Sequence, residues 1–341
     1  MNNAISTREN LGVRDPSAKD RQPHIKDTLR ITRLMSVTRI PSGYLYAALG
    51  TLVFSFTLPM VKIALPSFDP WTITFTRMTI AGTVAAIVVV VTRTPFPARH
   101  LWKSILLTGL GISLGFPIFS TLAMQRTTAA HGAVIIAGLP LVTAMFGVLT
   151  HKDKVPRLFW VGAILGTSAL VVYAWYHGGS EHGDPVADLL LVAAVLSSAY
   201  GYSEGARLTK VMPNWQVVTW CVVMYLPLSA IAAAVSFGAT HSQHTIEPKG
   251  IFGLLFISFG SMYLGFFAWY RGLAELGVAR GSQVQMLQPI LTLCWSAMIL
   301  GETISASALV TAAVVLSSIL LTQRARSVKP PAQFAEPLPR G

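Results

Sequence analysis

The chain has 341 residues, of which 52% are hydrophobic and 12% are charged, and its net charge is +12. Soluble domains carry about 25% charged residues, so this composition excludes a protein whose whole surface faces water. The basic residues lie in tails and short loops between apolar runs, which argues against a nucleic-acid-binding face. Both cysteines, Cys221 and Cys294, lie inside apolar runs, and no disulfide framework is expected.

The two ends of the chain differ from the apolar middle. Residues 1–42 are polar and of mixed charge, and they are predicted to form a disordered cytoplasmic tail because they cannot bury a core. Residues 324–341 are rich in proline and are predicted to form a second disordered cytoplasmic tail. No secretory signal peptide is visible, so the first long apolar run indicates an uncleaved first span.

Ten apolar runs of spanning length follow one another between the tails. A helix needs about 20 apolar residues to cross the hydrocarbon core, and in lipid such runs satisfy their backbone hydrogen bonds only as helices. The expected fold class is an all-α integral membrane protein with ten transmembrane helices. The expected spans are 43–65, 70–92, 103–125, 129–150, 158–176, 187–208, 215–237, 250–273, 279–300 and 304–323.

Basic residues lie mainly in the loops on one side of these spans. If the amino terminus is cytoplasmic, the loops with Arg93, Lys152 and Lys154 face the cytoplasm, while the opposite loops hold little more than Arg126 and Lys249. An excess of Lys and Arg marks cytoplasmic loops. We therefore expect a multi-pass protein of the cell membrane with both termini in the cytoplasm.

The sequence also contains an internal repeat. An offset of 149 residues places Pro140 on Pro289 and Asp153 on Glu302 without a gap. The two predicted units are residues 43–176 and 187–323, and five spans in each would invert the second unit relative to the first. Inverted repeats are typical of transporters with a substrate site near the midplane. Chance similarity between apolar segments is the alternative, and the matched proline and acid argue against it.

The second half carries the segments GSMYLGFFAWYRGL (260–273), ARGS (279–282), LQPI (287–290) and GET (301–303). With these segments the chain resembles the drug/metabolite transporter superfamily, EamA type. In the first half, Phe54 and Ser55 with Lys62 resemble the first span of the family, and Arg77 resembles its second-span arginine. Lys152-Asp153 departs from the Gly-Glu pair of the pattern but keeps the acid.

The resemblance covers about residues 43–323. It implies ten spans in an inverted five-plus-five repeat, export or import of a small metabolite, and no covalent cofactor. It is specific for the family and does not specify the substrate.

Two basic residues lie inside predicted spans. Lys62 lies about one turn from the end of the first span, and Arg77 about two turns into the second span from the same side. Ionisable groups in the bilayer are costly, and they mark a pathway or a paired structural site. Both are candidate substrate-binding residues that would attract carboxylates. The alternatives are snorkelling of Lys62 to the interface and structural pairing of Arg77.

An acid lies inside the sixth predicted span. Tyr200, Glu204 and Arg207 share one helical stripe, and Tyr200 and Glu204 are candidate substrate-binding residues. Glu204 is also a candidate carrier of a coupling proton or counter-charge for an amine. The alternative is an ion pair between Glu204 and Arg207 at the cytoplasmic end of the helix.

The ninth predicted span has a polar face. Gln285, Gln288 and Thr292 align at helical spacing, and Pro289 frees a carbonyl one turn earlier. Gln285 and Gln288 are therefore candidate substrate-binding residues that line a cavity. The alternative is hydrogen bonding between helices.

The eighth predicted span contains an aromatic stripe of Tyr263, Phe267 and Tyr270. Tyr263 is a candidate substrate-binding residue, because aromatic rings can line a cavity for an amphipathic molecule. Aromatic stripes at helical spacing more often serve packing, which is the alternative.

Small residues form two further patterns. Gly111, Ser113 and Gly115 match the G-x-S-x-G pattern of a nucleophile elbow, which requires a strand before the serine. Here the match lies in an apolar helical run, where Gly111 and Gly115 also form a G-x-x-x-G close-packing motif. Gly201 and Gly205 form a second such motif. We interpret both as packing motifs.

Histidines and nucleotide motifs predict no further chemistry. Paired histidines without a third ligand are a weak metal signal, and no P-loop is present, so we expect no cofactor, no metal and no ATP hydrolysis. His131 and Arg280 occupy equivalent repeat positions and are interpreted as flanking polar residues, with symmetric gate elements as the alternative. The histidine pairs are His177 with His182 and His241 with His244.

The leading functional hypothesis is a secondary transporter, in the direction of export, for a small polar or amphipathic metabolite such as an amino acid. A multidrug exporter or a lipid-linked flippase is the alternative. An intramembrane enzyme would need clustered catalytic residues, and a structural or receptor-like protein would tolerate neutralisation of the buried charges. Expected partners are a small-molecule substrate and membrane lipid, with a coupling proton as a candidate and no nucleic acid.

Overall fold

A computed structural model describes residues 42–151, 157–177, 184–240, 245–276 and 284–326. Every regular element in these ranges is helical, as the apolar runs predict. The two predicted tails lie outside the described residues, apart from Ser42 and residues 324–326, which belong to helices.

Among the described residues, six helices are long and apolar enough to cross a membrane. They coincide with the first, second, third, sixth, seventh and eighth predicted spans. Their bounds are α1 (Ser42–Ala64), α2 (Pro70–Val91), α3 (Arg99–Met124), α7 (Pro185–Leu208), α8 (Asn214–Thr240) and α9 (Pro248–Leu276).

The remaining helices contain shorter apolar stretches. They fall on the fourth, fifth, ninth and tenth predicted spans, so the count of ten spans stays a prediction. Their bounds are α4 (Ala129–Ile136), α5 (Leu139–His151), α6 (Arg157–His177), α10 (Leu287–Leu300) and α11 (Ala306–Arg326).

Helix α1 is interrupted at Phe56 and resumes at Thr57. Pro59 lacks the N–H that would bond the carbonyl of Ser55 in a regular helix. The hydroxyl of Thr292 on α10 donates to that carbonyl at 2.9 Å, and the indole N–H of Trp295 donates to the Ser55 hydroxyl at 2.9 Å. Thr292, on the polar face predicted in the ninth span, is therefore hydrogen-bonded to the neighbouring helix α1.

A rare backbone geometry, the π-helix, occurs twice in the described part of the chain. Helix α3 contains a π-helical segment at Leu110–Gly115, and α9 contains another at Phe256–Leu264. Such segments are uncommon inside α-helices. An offset of 149 residues carries the first segment onto residues 259–264, within the second. The geometry thus recurs at the offset derived from the sequence.

Gly111 of one G-x-x-x-G motif meets Gly201 of the other where α3 crosses α7. A Cβ atom on Gly111 would lie 2.5 Å from the carbonyl oxygen of Ser197 and 2.9 Å from the amide nitrogen of Gly201. A Cβ atom on Gly201 would lie 3.0 Å from the amide nitrogen of Ile112. Only glycine allows the two backbones to approach this closely, so the packing interpretation is confirmed.

Gly111→Ala is expected to destabilise the protein by about 1–3 kcal/mol, because the new methyl group would overlap with backbone atoms that cannot rotate away. The free energy of unfolding in detergent measures this loss. Gly238→Ala is the matched control, since Gly238 lies in α8 and no atom beyond its own stretch of helix lies within 4 Å of its would-be Cβ. Equal unfolding free energies for the two variants would contradict the close crossing.

Candidate functional site

The start of α2 determines how far Arg77 lies from the end of that helix. The side chain of Asp69 accepts hydrogen bonds from the amides of Trp71 and Thr72 at 3.0 and 3.2 Å, and from the Thr240 hydroxyl at 2.7 Å. Partial burial raises the pKa of Asp69, but these hydrogen bonds outweigh it and leave the pKa below its usual value. This cap and the following proline define where α2 begins.

Arg77 is a buried cation inside α2. Its side chain is 2% exposed, and neither Nε nor Nη1 has a hydrogen-bond partner among the described residues. An unpaired charge in the protein interior costs several kcal/mol. Structural pairing, the alternative that the sequence left open, is not found in the described part of the chain. Arg77 is therefore suited to bind an anionic group.

Lys62 lies at the end of α1 and lines an open cavity of about 500 Å³. Its ammonium donates to the carbonyl of Met124 at 2.9 Å, and Glu302 lies near enough to attract it electrostatically. The Lys62 side chain is half-buried. It both lines the cavity and reaches toward the end of the helix, so the two interpretations of Lys62, cavity lining and snorkelling, are compatible. The other lining residues are Leu65, Pro66, Met124, Gln125, Leu300 and Glu302.

Glu302 joins the loop after α10 to the start of α4. Its two carboxylate oxygens accept hydrogen bonds from the amides of Ala129 and Ala130 at 2.9 and 2.7 Å. Gly301, at φ +68°, ends α10 in the left-handed conformation, which favours glycine. The Gly-Glu pair therefore ends one helix and caps another from a distant part of the chain.

A buried pair of ionisable side chains lies at the same end of the molecule as Lys62 and Glu302. The Nε2 atom of His131 on α4 lies 2.6 Å from Oδ1 of Asp188 on α7, and both side chains are buried. The interpretation of His131 as a flanking polar residue is therefore wrong. Asp188 was missed, although Asp184-Pro185 is a helix-start pattern that places Asp188 in the first turn of α7.

An exposed ion pair flanks this buried one. Arg126 lies 2.9 Å from Asp184, the residue that caps α7. The hydrogen bond from Arg126 holds the pKa of Asp184 below its usual value. We call the residues Lys62, Arg126, His131, Asp184, Asp188 and Glu302 the far-end cluster, because they lie at the end of α1 opposite Ser42.

Glu204 belongs to the other end of α7. Its side chain is buried, and Oε1 lies 3.4 Å from Nη2 of Arg207. The Tyr200 ring lies 6.0 Å from that of Phe146. The Glu204 carboxylate is close enough to the Tyr200 hydroxyl to interact with it electrostatically. The ion-pair alternative is thus observed. It leaves the role of Glu204 in proton coupling a prediction.

Gln285 and Gln288 are neighbours, with Nε2 of Gln285 3.4 Å from Oε1 of Gln288. The Gln285 side chain is also within hydrogen-bonding reach of the buried Tyr202 hydroxyl, a residue that sequence reasoning missed. Its carbonyl oxygen Oε1 has no hydrogen-bond partner among the described residues. A buried amide with unused capacity can bind a polar ligand.

The aromatic stripe of α9 packs in the interior. The Tyr263 hydroxyl lies 3.1 Å from that of Thr219 on α8, and the Tyr270 hydroxyl donates to the carbonyl of Gly201 at 3.3 Å. Trp269 is also buried, with an indole N–H that has no partner among the described residues. These contacts favour the interpretation of the stripe as packing. Substrate binding by Tyr263 stays a prediction.

The predicted site residues do not form one constellation in the described part of the chain. Among the described residues, no hydrogen bond or ion pair joins Lys62, Arg77 and Glu204 to one another, and no group of three His, Cys, Asp or Glu is placed to hold a metal ion. Several sequence-based predictions fall outside the described residues. They concern Lys152, Asp153, His182, His241, His244 and Arg280.

A family model described as the EamA-like transporter family matches residues 41–175 and again residues 185–324. These two matches cover most of the chain. The chain belongs to this family. The members of this family are transporters. Membership therefore indicates that this chain is a multi-pass membrane protein with a small-molecule substrate.

Relatives agree with this membership. The chain is 35% identical over 268 residues to the uncharacterized transporter YdeK of Bacillus subtilis, with 79% of this chain and 92% of the relative covered. It is 22% identical over 288 residues to a probable amino-acid metabolite efflux pump of Salmonella typhimurium, with 82% and 93% covered.

A solved protein crystal structure has the same fold. It superimposes with a TM-score of 0.58 and 18% identity over 85% of this chain and 99% of the solved chain. At this identity the likeness concerns the fold alone.

Proposed function

We propose that this EamA-family protein is a secondary transporter that exports a small carboxylate-bearing metabolite, such as an amino acid or a related compound. The observation that carries the proposal is the buried guanidinium of Arg77, without a partner at Nε and Nη1 among the described residues. A guanidinium binds a carboxylate through two parallel hydrogen bonds. A carboxylate substrate would compensate the cost of burying that charge.

Transport proceeds by alternating access between two inverted halves of five spans each, without ATP. The two family matches at 41–175 and 185–324 and the recurrence of the π-helical segment support this architecture. Both termini lie in the cytoplasm in this proposal, so the far-end cluster faces outside. The substrate site near the midplane comprises Arg77, Tyr200, Glu204, Tyr263, Gln285 and Gln288, with Lys62 at the outer cavity.

The efflux pump of Salmonella typhimurium supports an amino-acid-related substrate at low identity. A multidrug exporter or lipid-linked flippase is the competing function. Such proteins favour wide apolar cavities, and an internal arginine would repel cationic dyes. The charge of Arg77 therefore favours an anionic or zwitterionic metabolite.

Untargeted metabolite profiling of culture medium tests the proposal. Cells that overproduce the protein are expected to enrich the medium in at least one carboxylate-bearing metabolite relative to cells that lack it. Identical media would count against export. Increased tolerance of cationic dyes, with no metabolite enriched, would instead favour the multidrug alternative.

A further inference from the structure

Four aromatic residues from α1, α7 and α9 form a closed box. Phe54 contacts Phe266 and Trp269, and Tyr202 contacts the same two rings, with centroid distances between 4.8 and 6.3 Å. All four residues are less than a tenth exposed, and we call them the aromatic box. Such rings pack well on one another. Two polar atoms of residues that contact Tyr202 are nevertheless unused, in that they have no hydrogen-bond partner among the described residues.

The first unused atom is the indole nitrogen of Trp269. This residue is 1% exposed, and a buried indole N–H usually has a hydrogen-bond partner. A Cβ atom on Gly50 of α1 would lie 3.0 Å from the amide nitrogen of Trp269, so the two helix backbones are held close together at this point. The indole is therefore held between Phe54 and Tyr202, and its N–H is a donor without an acceptor among the described residues.

The second unused atom is the carbonyl oxygen Oε1 of Gln285, a residue that lies just before α10 and is 1% exposed. The Nε2 atom of Gln285 donates to Oε1 of Gln288 at 3.4 Å. This contact orients the amide, because a carbonyl oxygen in the place of Nε2 would face another oxygen. The Gln285 side chain is also within hydrogen-bonding reach of the Tyr202 hydroxyl. Tyr202 is therefore the common neighbour of the unused acceptor and of the unused donor of Trp269.

An unused donor and an unused acceptor that share one neighbour limit the chemistry of a ligand group at this place. An ammonium has donors only, so it would leave the indole N–H unpaired. A carboxylate has acceptors only, so it would set its own oxygens against Oε1 of Gln285. A carboxamide has a carbonyl oxygen for the indole N–H and an N–H for Oε1. It also carries no charge, so its burial costs less than that of an ion.

We propose that Tyr202, Trp269 and Gln285 form a second substrate subsite, which binds an uncharged carboxamide. The proposal rests on the proposed transport function and narrows its substrate to a carboxylate-bearing metabolite that also has an amide group, such as an amino acid with an amide side chain. Trp269 donates to the amide oxygen, and Oε1 of Gln285 accepts from the amide nitrogen. Both unused atoms are fully buried, so the ligand enters the aromatic box only when the carrier opens.

Nuclear magnetic resonance of the indole N–H groups tests this on the purified full-length protein in lipid nanodiscs, with isotopically labelled tryptophan. The signal of Trp269, assigned by its loss in Trp269→Phe, is expected to shift and to saturate as pentanamide is added, because the N–H gains an acceptor. Trp220 provides the control signal. Its indole N–H is also buried without a partner among the described residues, but its ring contacts Phe96, outside the aromatic box, and its signal should not shift.

Two further probes match pentanamide in shape. Butyl methyl ketone has a methyl group in place of the amide nitrogen, and it is expected to bind at least about five-fold more weakly because Oε1 of Gln285 stays unpaired. Pentanoate, the charged counterpart, is expected to leave the Trp269 signal unmoved. A Trp269 signal that pentanamide does not shift, as would result if ordered water satisfied both atoms, would overturn the proposal. Equal affinities for the amide and the ketone would overturn it as well.

Gln285→Leu removes the acceptor with little change in size, and it is expected to abolish the preference for pentanamide over the ketone. Gln216→Leu, at a half-buried glutamine of α8, is the control and should keep that preference. A preference that survives in Gln285→Leu would refute the role of Gln285. Pentanamide has no carboxylate, so its binding does not depend on Arg77, and failure of the export proposal leaves this result readable. Transport that depends on Arg77, without pentanamide binding, would refute the carboxamide subsite alone.

Discussion

Arg77→Gln is expected to abolish metabolite export while leaving the purified protein as stable as the wild type or more stable. The guanidinium is buried without a partner at Nε and Nη1 among the described residues, so it costs stability in the absence of an anion. Removal of one member of a buried charge pair with the substrate costs about 2–5 kcal/mol of binding, which is at least about thirty-fold in affinity. Metabolite profiling and thermal unfolding measure the two effects separately.

The two readouts distinguish a binding role from a structural one. Arg77→Lys keeps the charge but loses the two-pronged geometry, so it should retain only part of the export. Arg99→Gln, which removes an exposed arginine, is the control and should export normally. If Arg77→Gln lost stability and export together, a structural role would explain both, and the proposed carboxylate site would be wrong.

Glu302→Ala is expected to destabilise the protein by about 2–4 kcal/mol, because two charge-assisted hydrogen bonds to the amides of Ala129 and Ala130 are lost. No other described side chain is bonded to these two amides. The loss should appear in the free energy of unfolding in detergent. Hydrogen exchange should also rise first in α4, whose start would fray.

Glu247 supplies the matched control for this cap. It precedes α9 at the capping position, but its side chain makes no capping hydrogen bond. Glu247→Ala should therefore change the unfolding free energy by less than about 0.5 kcal/mol. If both variants lost the same stability, the distant cap would not be the source of the Glu302 effect.

Elements of the fold that depend on local pattern could be predicted from the sequence. Apolar runs located the six long helices, and the spacing of Gly111 and Gly201 with their partner glycines indicated close packing. Pro59 carried no prediction of its own, yet its missing N–H explains the interruption of α1. Such features follow from residues a few positions apart, so periodicity and backbone chemistry suffice.

Contacts between distant residues could not be predicted in the same way. Glu302 was recognised as part of a Gly-Glu motif, but its bonds to Ala129 and Ala130 depend on how α4 approaches the end of α10. Asp188 carried no prediction, and its partner His131 lies 57 positions earlier. Nothing in the spacing of those two residues indicates that they meet.

The candidate site shows the same limit. The burial of Arg77 was expected from its position in an apolar run, whereas the lack of a partner could be learned only from the neighbours around it. The face of Gln285 and Gln288 was predicted correctly as polar. Its contact with Tyr202 depends on the packing of another helix.

The most direct test of transport without ATP uses the purified protein in liposomes. Liposomes loaded with unlabelled amino acids are placed in an equimolar mixture of isotopically labelled ones, with no nucleotide present, and uptake of label is measured by mass spectrometry. At least one labelled amino acid should enter faster than in protein-free liposomes, and Arg77→Gln should remove that difference. Uptake no faster than in protein-free liposomes, or uptake unchanged by Arg77→Gln, would contradict a carrier that recognises its substrate through Arg77.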